Sequence, residues 1–154
     1  VTPHDATLDL HNGESNDFTI EAYVYPYSRD TYIVIEKPEA YYLSVFKHGG
    51  SSRVVRFKAG IRAGGILHEV QTLLHYPVEE WSHIALRRDP DGYLSLAVNG
   101  NVDVVSDATI GPVDTNTNVL YTGRGADGFY LDGLLDEIRL SDCFRELSEL
   151  TPNM

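Results

Sequence analysis

The chain is a succession of short runs in which apolar and polar residues alternate, broken by turn signals about every 8 to 12 residues, and few architectures accept that pattern. The clearest run is FTIEAYVY at 18–25, with Phe18, Ile20, Ala22 and Val24 on one face and Thr19, Glu21, Tyr23 and Tyr25 on the other, ended by Pro26. Runs at 41–46 and 54–61 flank HGGSS and read as a hairpin. In the run 81–88, Ile84 and Leu86 point inward, opposite Trp81, His83, Ala85 and Arg87. DPDG then turns the chain into 93–98, whose inward residues are Leu94, Leu96 and Val98, and Asn99-Gly100 predicts a type I′ turn into 102–105. Shorter strands are expected around Leu8 and Leu10, at 32–35 and at 119–122. Residues 66–75 also read as a strand, although Leu67, Val70, Leu73 and Leu74 equally suit a helical turn. Helical spacing otherwise appears only near the end, for a turn or two before Pro152. The class this predicts is all-β, a two-sheet antiparallel β-sandwich or jelly roll forming one domain over 1–154, with 143–154 a C-terminal tail.

One charge interrupts the last alternating run. In FYLDGLLDEIRLSD at 129–142, Leu134, Ile138 and Leu140 share a parity, and Asp136 shares it too. A carboxylate in an apolar layer needs hydrogen bonds, a cation or a metal ion, because burying it alone costs several kcal/mol. Glu21, Glu137 and Arg139 have outward parity. They read as a cross-strand ion pair of Glu21 or Glu137 with Arg139, against the alternative of two carboxylates set for acid/base chemistry.

Three stretches in order, DFTIEAYVYP (17–26), VEEWSHIALRRDPDGYLSLAVNG (78–100) and YLDGLLDEIRLSD (130–142), resemble the laminin-G-like jelly rolls of the concanavalin A-like lectin/glucanase superfamily. The resemblance runs from about residue 7 to 145 and implies two antiparallel sheets of six or seven strands, one of them concave. Tyr23 stands where the family commonly has Trp, and an initial apolar strand of the family has no counterpart here, which would leave an edge for another chain or segment to cover. In related jelly rolls the aspartate of the last long strand is often a structural calcium ligand, so Asp136 becomes the metal candidate, with Asp9, Asn12 and Gly13 in the stretch that would supply further oxygens. The glycosidases of the superfamily carry a Glu-x-Asp-x-x-Glu strand, a spacing this chain lacks, so no enzyme activity is expected. The ending DEIRLSD, with Arg145 and Leu150-Thr151-Pro152, is also similar to laminin-G-like modules of bacterial-virus surface proteins, which implies a virion or adhesion setting.

Ten tyrosines against one tryptophan give the chain many aromatic faces with polar tips. Tyr23, Tyr25, Tyr27 and Tyr42, rimmed by Arg29, Asp30, His48 and Arg124, would suit a glycan, whose C–H faces stack on rings while its hydroxyls need polar partners. The same tyrosines could instead cover the second sheet or meet protein. The expected function is thus a non-catalytic module for a glycan or glycoprotein, possible calcium support included, in an extracellular, cell-surface or virion-surface setting. A structural module contacting other subunits of a surface assembly is the alternative, and a polysaccharide-degrading enzyme a distant third.

Other chemistries find little in the sequence. A net charge of −11 opposes nucleic acid and anionic membranes, and no apolar run is long enough to insert into a bilayer. Cys143 is the only cysteine, so no internal disulfide forms. His68 and His75 do not have zinc-protease spacing, and no nucleophile elbow or phosphate loop is present.

Overall fold

The tight turns decide which strands become neighbours. In the computed structural model, which describes residues 1–10, 16–47 and 53–150, Asn99 and Gly100 take φ of 52° and 80°, as a type I′ turn requires. They join β8 (Tyr93–Val98) to β9 (Asn101–Ala108). The Gly92 N–H donates to the Asp89 carbonyl at 3.0 Å, closing the turn from β7 (Ser82–Arg88) into β8. β1 (Phe18–Pro26) pairs with β7 on one side and with β11 (Gly133–Ser141) on the other, giving a five-stranded antiparallel sheet ordered β11-β1-β7-β8-β9. We call it sheet I. Sheet II runs β10 (Tyr121–Thr122), β2 (Tyr32–Lys37), β3 (Tyr41–Lys47), β4 (Val54–Ala63) and β5 (Ile66–Gln71), with β6 (Tyr76–Pro77) also paired to β4. The sheets therefore hold five and six strands rather than six or seven.

The predicted inward residues of β1, β7 and β8 face Leu43, Val45, Phe57, Ala59 and Ile61 across the sandwich, all fully buried except Val98 at 2% exposure. Two local expectations change. The stretch around Leu8 forms no strand: Asp5 Oδ1 accepts the Thr7 N–H at 2.9 Å and caps a 3-10 turn, Ala6–Asp9, a local bond that competes with extended pairing. The ambiguous run 66–75 is a strand only as far as Gln71, where pairing with β4 outweighs helical spacing; Leu73 and Leu74 project from the turn beyond at 68% and 64% exposure.

The decisive correction lies in β11. Its pairing with β1 steps from Glu21↔Arg139 to Tyr23↔Asp136, so Glu137 and Ile138 together oppose Ala22 in a β-bulge, and Glu137 takes φ of 47°. The extra residue reverses parity along the strand. Leu140 and Leu135 pack against the core, whereas Leu134 and Ile138 are 44% and 37% exposed. Asp136 is exposed as well, on the outer face, and its Oδ1 accepts the Glu137 N–H at 2.8 Å. The inward position that made Asp136 a metal candidate does not exist, because strict period-two counting fails across a bulge.

The segment read as a tail lies, as far as Leu150, across the outer face of sheet I. The Thr19 hydroxyl donates to the Cys143 carbonyl (2.9 Å) and accepts the Arg145 N–H (3.0 Å). Arg87 donates to the Arg145 carbonyl at 3.0 Å and lies 4.7 Å from the Phe144 ring centre. Leu147–Glu149 forms a 3-10 turn with a capping box, and Leu150, 5% exposed, packs on Ala85 and Ala97. Small side chains on β7 and β8 make room for this strap.

Candidate functional site

The strap covers one half of the outer face of sheet I. At the boundary with the other half sits an ion cluster that the pairing of β11, β1 and β7 assembles. Glu21 Oε2 accepts from Arg139 Nε and Nη2 at 2.9 and 2.6 Å, and Glu21 Oε1 accepts from His83 Nε2 at 3.0 Å. A carboxylate only accepts, so the His83 proton sits on Nε2. Glu21 and His83 side chains are 0% and 1% exposed, and Arg139, 33% exposed, also donates to the Glu149 carbonyl at 3.0 Å. The expected Glu21–Arg139 pair is therefore present, and it ties the strap to the sheet. It also removes Glu21 from acid/base duty, since its carboxylate is enclosed and neutralised.

Beyond that cluster the face is aromatic. Strand alternation places Tyr23 and Tyr25 outward on β1, and Trp81, at the entry to β7, meets both. Ring centres are 6.5 Å apart for Tyr23 and Trp81, 5.5 Å for Tyr25 and Trp81, and 5.8 Å for Tyr25 and Tyr27, each edge to face. Tyr23 is 7% exposed and closes the row against His83, while Tyr25 and Trp81 are half-buried and Tyr27 is 45% exposed. The result is a ridge with one wet side. Asp136 stands beside Tyr23 and Leu134 beside Tyr25. Burial raises the Tyr23 hydroxyl above its ordinary pKa, and the carboxylates of Glu137 and Glu21 raise it further.

The other sequence candidates do not join this ridge. Arg29 and Asp30 lie in the bend that follows it, where Asp30 accepts from the Tyr32 hydroxyl at 3.1 Å and faces Lys47 at 3.9 Å. Tyr42 is on the outer face of sheet II and donates its hydroxyl to Glu69. Arg124 stacks between Tyr121 and Tyr130, 5.2 and 5.4 Å from their ring centres. His48 lies outside the described residues, as do Asn12 and Gly13. Asp9 faces the Lys37 ammonium at 3.4 Å, whereas Asp136 caps its own bulge beside β1. Among the described residues no three His, Cys, Asp or Glu side chains come together to hold a metal ion. Trp81, absent from the sequence-derived ligand set, is the central ring of the ridge; its outward parity in 81–88 was the available signal.

A laminin G family model, described as the Concanavalin A-like lectin/glucanases superfamily, matches residues 2–151. The chain belongs to that superfamily. No protein of curated function matches the sequence. Among solved structures, this laminin-G-like chain is similar to a Bacteroides ovatus protein named for an inferred carbohydrate-binding role, with 23% identity, TM-score 0.71 and coverage of 94% of this chain and 42% of that one. It is also similar to domain 4 of an extracellular arabinanase from Geobacillus stearothermophilus in complex with arabinotriose, with 20% identity, TM-score 0.64 and coverage of 88% and 65%. A third is the binding domain of the paraclostridial mosquitocidal protein 1, with 15% identity, TM-score 0.69 and coverage of 96% and 38%. At such identities the likeness establishes the fold. The chain spans less than half of the first and third of these structures. Among the described residues of this laminin-G-like chain, no helix is long and apolar enough to cross a membrane.

Proposed function

We propose that this laminin-G-like chain is a non-catalytic binding module that recognises a glycan or glycoconjugate on the outer face of sheet I, in an extracellular, cell-surface or virion setting. One observation carries the reading: Tyr23, Tyr25, Tyr27 and Trp81 form a continuous edge-to-face row that stays partly open beside the part of the face that the strap covers. Sugar C–H faces stack on such rings, and neighbouring polar groups such as Asp136 take the hydroxyls. Support comes from the similar domain of an arabinanase, which is known with arabinotriose bound. Trp81 is the only tryptophan, so its fluorescence reports on the ridge directly. Titration with a panel of oligosaccharides should change that emission for at least one of them, and Trp81→Ala or Tyr25→Ala should abolish the corresponding heat in calorimetry. If no sugar binds at millimolar concentration, with or without calcium, the reading fails. Calcium is proposed only as an aid, and its test is the same titration repeated with a chelator.

A second reading, an assembly module, has its own observation. β5 and β9 touch at one margin of the sandwich, each the last strand of its sheet. Leu73, Val105 and Ile66 there are 68%, 56% and 63% exposed. Light scattering separates the readings, since a stable oligomer without sugar affinity supports this one.

A further inference from the structure

The charge around the ridge carries a prediction about which glycans it takes, and it rests on the binding function proposed above. Asp136 is paired in register with Tyr23 on the same face, and Glu137, lifted outward by the bulge, follows it. Both are exposed, and Glu137 is close enough for its charge to be felt at the Tyr23 hydroxyl. Glu80 is exposed next to Trp81, and Asp132, also exposed, takes the Tyr27 N–H on its carbonyl at 2.8 Å. Carboxylates thus follow the row from end to end. Two cations near the row are committed elsewhere. Arg139 gives its Nε and Nη2 to Glu21 and the strap, and Arg53 is held by Glu79 at 2.6 Å. Among the described residues no lysine or arginine is paired with Glu80, Asp132, Asp136 or Glu137.

We infer that the ridge selects uncharged glycans and rejects sialylated, uronic-acid or sulfated ones, with Asp136 and Glu137 as the residues that set this specificity. Stacking supplies attraction common to most sugars, because every pyranose or furanose offers C–H groups. Discrimination then comes from repulsion of an anionic substituent by carboxylates a few ångströms away. Neutral sugar hydroxyls, by contrast, donate to those same carboxylates. The chain's overall charge of −11 acts in the same direction at longer range and slows the approach of anionic ligands.

The test uses matched pairs that differ only in charge: lactose and sialyllactose, cellohexaose and its sulfated form, and xylohexaose with and without glucuronic-acid branches. Calorimetry and Trp81 fluorescence are read at about 20 mM and 500 mM salt, a range over which the Debye length falls severalfold. The neutral member of any pair that binds should bind roughly tenfold tighter than its anionic partner at low salt, and the gap should narrow at high salt. Asp136→Asn combined with Glu137→Gln should weaken neutral binding, because the hydroxyls lose charged acceptors, and yet shrink the gap between the members of a pair, with an unchanged melting temperature confirming the fold. Equal or tighter binding of the anionic members overturns the selectivity while leaving the glycan reading intact. An undiminished gap in the double variant overturns the assignment to these two residues. No binding by any member overturns both.

Discussion

Replacing Arg139 by methionine would isolate a carboxylate that has no exposed surface. Glu21 is 0% exposed and accepts two hydrogen bonds from Arg139 and one from His83. Removing one partner of a buried pair costs about 3–5 kcal/mol, because the remaining charge stays desolvated. Two features reduce that figure here. The Arg139 side chain is 33% exposed, so water can enter where it stood, and His83 still donates at 3.0 Å. We expect a loss of about 2–3 kcal/mol, which for a chain of this size lowers the melting temperature by roughly 5–10 °C. The same change removes the bond to the Glu149 carbonyl and loosens the strap. Adding Glu21→Gln removes the stranded charge while keeping an oxygen for His83, so the double variant should regain more than half of the loss. Urea unfolding followed by Trp81 emission measures all three proteins. A loss under about 0.5 kcal/mol for Arg139→Met, the range of an exposed pair, would refute this account, as would additive losses in the double variant.

Leu150→Ala should cost about 2–3 kcal/mol in the same assay, because Leu150 is 5% exposed against Ala85 and Ala97; a loss near zero would show that the strap does not pack as described. Gly92→Ala should cost more than about 2 kcal/mol, since φ is +93° and a Cβ would stand 2.2 Å from the Thr109 carbonyl oxygen. Burial raises the hydroxyls of Tyr41, Tyr42 and Tyr76 above their ordinary pKa, aided by the charges of Asp9, Glu69 and Asp103 respectively. Raised folded values mean that this stability is complete below about pH 10 and is lost as pH climbs through them. At pH 11 the folded chain should therefore show less tyrosinate absorbance at 295 nm than the urea-unfolded chain, and coincident titration curves would contradict it.

Most of the fold was legible because its signals are local. Asn99-Gly100, the DPDG turn and the alternation of 18–25 each act within a few residues, and the strands they predict are present. The site was only half legible. Tyr23, Tyr25 and Tyr27 are close in sequence and belong together, but Trp81 joins them only through β1–β7 pairing, which no local pattern states. Nearness along the chain groups Tyr42 with them, although its outward position on β3 puts it on the opposite sheet. The outward position of Asp136 was illegible for a different reason. A bulge adds a residue without a strong mark in composition, and Glu137 is an unusual residue to find at φ of 47°. The buried Glu21 was hidden as well, since outward parity predicts exposure unless something covers the face, and here the strap and Tyr23 cover it.

The same bulge has a consequence for how this chain can vary. On either side of it Leu135 and Leu140 answer to the core, while Leu134, Asp136 and Glu137 answer only to what lies outside. Substitutions at these outer positions can recast the chemistry beside the aromatic row without disturbing a single core contact. Deleting Glu137 would leave Ile138 alone opposite Ala22 and remove the bulge, with Asp136 still beside Tyr23 and Leu135 still beside Val24. Strand β11 therefore tolerates changed letters at its outer positions and a change of length only at the bulge, and a set of related chains should show diversity at 134, 136 and 137 with any single-residue gap confined to 137 or 138.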